Sequence, residues 1–152
     1  MKRRTAILGA LALACMQVAV GSEPAQLVVR DAWARATPPG AAVAAVYLTI
    51  VGGTRADRLL GASTEAAAMT QIHAVTESQG MSRMRETDGV AVPAGATVVL
   101  APQGLHLMLM NLAQPLAVGE SIELALTFEQ AGRRTVTVKV VPPDQPAAPA
   151  AH

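Results

Sequence analysis

Gly104-Leu105-His106-Leu107-Met108-Leu109-Met110 alternates aliphatic side chains with imidazole and thioether groups. On a β-strand such alternation sends His106, Met108 and Met110 to one face and Leu105, Leu107 and Leu109 to the other. The leucine face is a core face, and the opposite face presents one imidazole and two thioethers. The surrounding stretch, Ile72 to Leu112, holds both internal histidines and four of the seven methionines.

The same period-two reading extends along the chain. Gln26 to Ala34 carries β-branched Val28 and Val29 and the single Trp33, which is expected to anchor the core. Val43 to Val51 is apolar on both faces and predicts a central strand. Arg58 to Ala62 is a short candidate. Thr64 to Thr70 reads as a loop, because a few alanines without a cap make a weak helix, and a strand follows from about Met69 to Val75. Met81 to Glu86, Val90 to Pro93 and Thr97 to Leu100 are separated by Asp88-Gly89 and Ala94-Gly95 turns. Pro102-Gln103-Gly104 turns the chain into the His106 strand. Ser121 to Phe128 alternates with Ile122, Leu124, Leu126 and Phe128 on one face, and Thr135 to Val141 alternates again after a tip at Ala131-Gly132. About eight or nine short strands with regular turns predict an all-β, Greek-key barrel or sandwich.

The ends read differently. Met1-Lys2-Arg3-Arg4 is a cationic start, and Thr5 to Val20 is almost continuously apolar, a signal-peptide profile too short and wrongly flanked for a membrane span. Small residues at Ala19-Val20-Gly21 place cleavage after residue 21. A second reading takes Leu13-Ala14-Cys15 as a lipoprotein cleavage site with Cys15 lipidated. Both readings export the protein to the periplasm. The domain is then expected over residues 22–142, and the Pro/Ala-rich residues 143–152, ending in His152, form a flexible tail.

Cleavage after Gly21 removes Cys15, the one cysteine, so no disulfide, thiolate nucleophile or thiolate ligand remains. Nine cations then stand against eleven acids, a formal charge of −2. That balance argues against nucleic acid as a partner. Hydrolase and phosphate-loop patterns are absent from the sequence, which argues against an enzyme.

The chemistry-bearing residues are His73, Met84, His106 and Met108, on three expected strands that a Greek key can bring together. Thioethers are soft, neutral ligands and imidazole is borderline, so two of each favour a soft monovalent ion, with Cu(I) the biological candidate. Cu(II) on His73, His106 and water stays open as a secondary state. Packing is the alternative for each residue, since methionine fills irregular gaps. Met69 is assigned to core filling. Met81, three residues from Met84, points to the opposite face, and one of the two is expected in the core or at the rim of the site. Met110 shares the His106 face and is expected to line the floor of the site without binding.

The spacing His73-x10-Met84-x21-His106-x-Met108 resembles the signature of the periplasmic PCuAC-type copper chaperones, which are cupredoxin-like β-barrels. Asp31-Ala32-Trp33-Ala34-Arg35-Ala36-Thr37-Pro38-Pro39-Gly40 resembles the family's opening, and Gly104 to Met110 its signature strand. The resemblance spans about Val28 to Val141. One departure is Ala74, where the family sometimes has a further methionine. The resemblance implies a Cu(I) metallochaperone that delivers copper to the copper subunit of cytochrome c oxidase alongside a thioredoxin-fold copper-handling protein; the chain itself is expected to be a monomer. Copper or silver storage and detoxification, or a β-sandwich interaction module without metal, are the rival readings.

Overall fold

The computed structural model describes residues 26–145. The expected signal segment, Cys15, His152 and most of the expected tail lie outside the described residues. Ten strands are formed: β1 Val28–Arg35, β2 Val43–Val51, β3 Asp57–Ser63, β4 Ala67–Ser78, β5 Met81–Glu86, β6 Val90–Val92, β7 Thr97–Leu100, β8 His106–Leu112, β9 Ser121–Phe128 and β10 Gly132–Val141. The expected eight or nine become ten because β6 and β7 are only three and four residues long, yet each pairs with a neighbour.

Hydrogen bonding runs β5-β4-β8-β2-β1-β10-β9-β3-β6, with β7 on β2. The path does not close on itself, so the architecture is an open β-sandwich rather than a sealed barrel. β2 is central, as its two-sided apolar sequence predicts: β1 takes one edge, while β8 pairs with its first half and β7 with its second. β1 makes the crossing between the two layers. Its register breaks between Arg30 and Trp33, where Asp31 takes a left-handed φ of 55°, a conformation that Asp tolerates better than most residues. Past the bulge, Trp33 and Ala34 pair with β2 on one side, and Trp33 to Arg35 pair in parallel with β10 on the other.

The core is aliphatic. Leu107 and Leu109 of β8 are fully buried with Leu48, Ile50, Leu59, Leu124, Leu126 and Val138, and Ile72 faces Leu107 across the β4–β8 pair. Removing each such side chain from water contributes about 1.5–3 kcal/mol. That burial pins the register of β8, because a slip of one residue would exchange Leu107 and Leu109 for His106 and Met108. The sequence alternation therefore does two things at once: it anchors the strand and aims its polar-soft face outward. Trp33 is buried at 7% exposed, but it stands outside the aliphatic core cluster rather than anchoring it, because its ring packs on Tyr47.

Candidate metal site

The face of β8 turned away from the leucines meets the corresponding faces of its neighbours in ordered rows. His106 stands opposite His73 of β4, and His73 stands opposite Glu86 of β5. On the other side, one step beyond the Val46–Leu107 pair, Tyr47 of β2 extends the row, and Trp33 of β1 completes it. The rings follow this order: Trp33 and Tyr47 are 4.6 Å apart between centroids, Tyr47 and His106 6.4 Å, and His106 and His73 5.7 Å with a T-shaped, edge-on geometry. The Arg35 guanidinium caps the far end, 5.7 Å from the Trp33 ring centre. This aromatic cover explains why His106 is only 4% exposed although it lies on the face opposite the leucines.

The next row holds Ala45, Met108 and Gln71, and the row after it Val43, Met110 and Met69. On the opposite side of the histidine row, β8 has ended. There β4 continues to Ser78 paired only with β5, forming an arm that carries Met84 opposite Val75. Met84, Val75, Tyr47, His106 and Met108 line one open depression of about 480 Å³. Three of the four candidate ligands therefore border one space. The fourth, His73, lies behind it, half-buried and edge-on to His106.

Hydrogen bonds assign the ring nitrogens. His106 Nδ1 is 3.0 Å from the Gly104 carbonyl, which can only accept, so Nδ1 carries the proton and Nε2 holds the free lone pair. The carbonyl is held by the Pro102-Gln103-Gly104 turn, closed by Gly104 N–H donating to Ala101 O at 3.1 Å, with Gln103 at φ 67°. For His73 the arrangement is reversed. The Gln71 amide nitrogen donates to Glu86 at 3.3 Å, which leaves the amide oxygen to accept from His73 Nε2–H at 3.0 Å. His73 Nδ1 is then the lone-pair nitrogen, and it is buried with no hydrogen-bond partner. An unpartnered buried acceptor is costly, by about 1–3 kcal/mol, unless something else occupies it. The two imidazoles thus present Nε2 and Nδ1, respectively, as donors for a soft ion.

Among the described residues no three His, Cys, Asp or Glu side chains group closely enough to hold a metal. Coordination built on the histidine pair would need the thioethers. Two carboxylates still flank the row, Glu86 beside His73 and Glu77 at the edge of the depression, and their field offsets part of the charge of a cation placed there. Sequence reading missed Gln71, Glu86, Glu77 and Tyr47, because nothing in their spacing sets them apart; only strand register brings them here.

Three expectations are corrected. Met69 is not core filling: it is 53% exposed and lies on the same face as His106, opposite Met110. Met81 and Met84 do point to opposite faces, since they pair with Ser78 and Val75, but neither is in the core, at 54% and 53% exposed. β5 is an edge strand whose six residues are all exposed. Met110 is not among the residues lining the depression; it belongs to the row beyond Met108.

Comparison with known proteins identifies the family and the fold. Residues 27–140 match the family described as "Putative lipoprotein LpqE-like". A curated relative, "Putative lipoprotein Lxx21020" of Leifsonia xyli subsp. xyli, is 34% identical over 121 residues, covering 79% of this chain and 72% of the relative. Among solved structures, the copper-bound PCuAC domain from PmoF2 superimposes with a TM-score of 0.67 at 28% identity, covering 78% of this chain and 94% of that domain. The solution structure of Cu(I)-DR1885 from Deinococcus radiodurans gives 0.63 at 29% identity, covering 84% and 85%. The chain belongs to the LpqE-like family, a PCuAC-like family of cupredoxin-like β-sandwich proteins.

Proposed function

We propose that this protein is an exported Cu(I) carrier that holds the ion between His73, Met84, His106 and Met108. The observation that carries this reading is the facing pair of imidazoles with assigned tautomers, one of them a buried and unpartnered Nδ1. Met84 and Met108 line the depression that His106 borders. The copper-bound PmoF2 domain and Cu(I)-DR1885, similar over most of the chain, support the same cargo. The names of the family and of its Leifsonia relative support export. Release after residue 21 leaves a free periplasmic form with residues 22–142 as the working domain, and lipidation of Cys15 gives an anchored one.

All four ligands are neutral, so the ion keeps its +1 charge and is held less firmly than by thiolates. Met84 is the ligand that exchanges first: it lies on an arm supported from one side and its side chain is 53% exposed. An incoming cysteine thiolate takes its place on Cu(I), the Met84 thioether leaves, and a second thiolate then displaces the histidines and Met108, so that the ion departs on two thiolates. The copper subunit of cytochrome c oxidase is the destination that the PCuAC resemblance implies, with a thioredoxin-fold copper-handling protein working alongside. No step requires turnover of a substrate, so the protein acts as a carrier and not as an enzyme.

Anaerobic competition for Cu(I) against a chromophoric chelator tests the site. Wild type should take up Cu(I), and Met84→Ala/Met108→Ala should bind it at least tenfold more weakly. No uptake by wild type, or equal binding by the variant, removes the assignment. Mixing the Cu(I)-loaded protein with a reduced dithiol acceptor separates a carrier, which transfers copper within minutes, from a storage protein, which retains it.

A further inference from the structure

The row beyond Met108 has no role in the site just described. It consists of Met69 on β4 directly opposite Met110 on β8, with Val43 on the far side of Met110. Directly opposed residues of an antiparallel pair have Cβ atoms about 4.5–5.5 Å apart, and a methionine side chain extends several bonds further, so both sulfurs can reach one ion. Packing does not account for Met69. Its side chain is 53% exposed and absent from the buried cluster, whereas a methionine kept for its flexibility belongs in an irregular gap of a core. Met110 is half-buried beside it.

Position adds to chemistry. Met108 lies one row away on the same face of the same strand, about 7 Å along β8, and its diagonal relation to Met69 is within reach of two long side chains. Met108 also borders the depression that contains His106 and Met84. Thioethers therefore run without a gap from the exposed Met69, through Met110 and Met108, to the histidine row. Gln71 is the other member of the intermediate row, and its amide is engaged with Glu86 and His73. Thioether coordination selects soft d¹⁰ ions and is indifferent to protonation, since thioether sulfur does not titrate.

We propose that Met69 and Met110 form a second, weaker site for Cu(I), which captures the ion at the surface and passes it through Met108 to the histidine pair. The capture site exists whether or not the four-ligand assignment is right; its use for loading rests on that assignment. With two thioethers, or three when Met108 joins, and no imidazole, it should bind Cu(I) at least a hundredfold more weakly than the His/Met site.

The test uses the mature protein labelled with ¹³C at the methionine methyl groups, titrated anaerobically with Cu(I) and, in parallel, with Ag(I). The first equivalent should move the Met84 and Met108 signals, and the second those of Met69 and Met110. Met81, on the opposite face, should stay in place as the internal control. Met69→Leu/Met110→Leu, a change of nearly equal volume at a surface row, should abolish the second event, leave first-equivalent affinity unchanged, and slow loading from a weak Cu(I) donor severalfold. Still Met69 and Met110 signals at two equivalents, Met81 moving equally, or two events persisting in the double variant would each overturn the proposal. Movement of Met69 and Met110 without movement of Met84 and Met108 would uphold the second site and sink the four-ligand reading instead.

Discussion

His73 and His106 face each other across β4 and β8 with ring centroids 5.7 Å apart, yet their hydrogen bonds leave different nitrogens free. His106 is oriented by a backbone carbonyl two residues before it, a contact built into its own turn. His73 depends on a side chain, Gln71, which is itself oriented by Glu86. The two imidazoles therefore differ in how easily a mutation can disturb them.

Gln71→Leu should release the His73 ring from its tautomer while preserving strand and volume. Partners that orient a metal-binding histidine are typically worth about 10- to 100-fold in affinity, so Cu(I) binding should weaken by about that range. Long-range ¹H–¹⁵N spectra of the metal-free protein should show His73 protonated at Nε2 in wild type and a mixture of tautomers in Gln71→Leu, with His106 unchanged. A wild-type His73 protonated at Nδ1 would remove the argument.

Met84→Ala should separate binding from stability. An exposed side chain on an edge strand contributes little to folding, so unfolding free energy should change by no more than about 0.5 kcal/mol. Cu(I) affinity should fall tenfold or more. Met81→Ala, an equally exposed change on the other face of β5, should alter neither quantity. Chemical denaturation and chelator competition on the pair check both halves.

Leu107→Ala should act in the opposite sense. Leu107 is fully buried beneath the histidine row and faces Ile72, and deletions of this kind cost about 2–5 kcal/mol. Urea denaturation should reveal the loss. Because the leucine face holds the register that aims His106 and Met108 outward, copper binding should follow the fraction folded.

Asp57 gives the fold a dependence on pH. Burial pushes its carboxyl up, but N–H hydrogen bonds from Gln130, Arg58 and Ala131, together with the nearby Arg134 charge, outweigh this and hold it below the usual carboxylate value. A carboxyl whose pKa is depressed by folding stabilises the native state above its unfolded pKa, near 4, and loses that contribution as pH falls through the lower folded value. Asp57→Asn should therefore be less stable than wild type at pH 7, by about 1–2 kcal/mol for the weakened turn contacts. The gap should close below about pH 4. Urea midpoints at pH 7 and pH 3 decide the matter, and an unchanged gap would discard the explanation.

Much of this protein was legible from alternation and turn residues. Val43–Val51, Met81–Glu86 and Ser121–Phe128 match their expected limits, because each is bounded by Gly or polar stops. β4 begins two residues earlier than expected, at Ala67, and β10 begins at Gly132 rather than Thr135, since ladder bonds to neighbours extend strands into residues of low strand preference. Met69 was misread for a related reason: a methionine's hydrophobicity does not say which face of a sheet it occupies or whether that face is covered.

By itself the sequence determined the chemistry available: two internal imidazoles, soft thioethers, no cysteine beyond residue 15, and a leucine alternation that commits β8 to one register. Those are local properties, set by residue type and by a side-chain period of two. Only the tertiary structure decided which donors become neighbours and what state they are in. The pairing of β4 with β8 and β5 sets His73 between His106 and Glu86, gives it Gln71 as its hydrogen-bond partner, and places Met69 opposite Met110. Cross-strand register joins residues tens of positions apart, and it is the burial of both strands' apolar faces in one core that selects it.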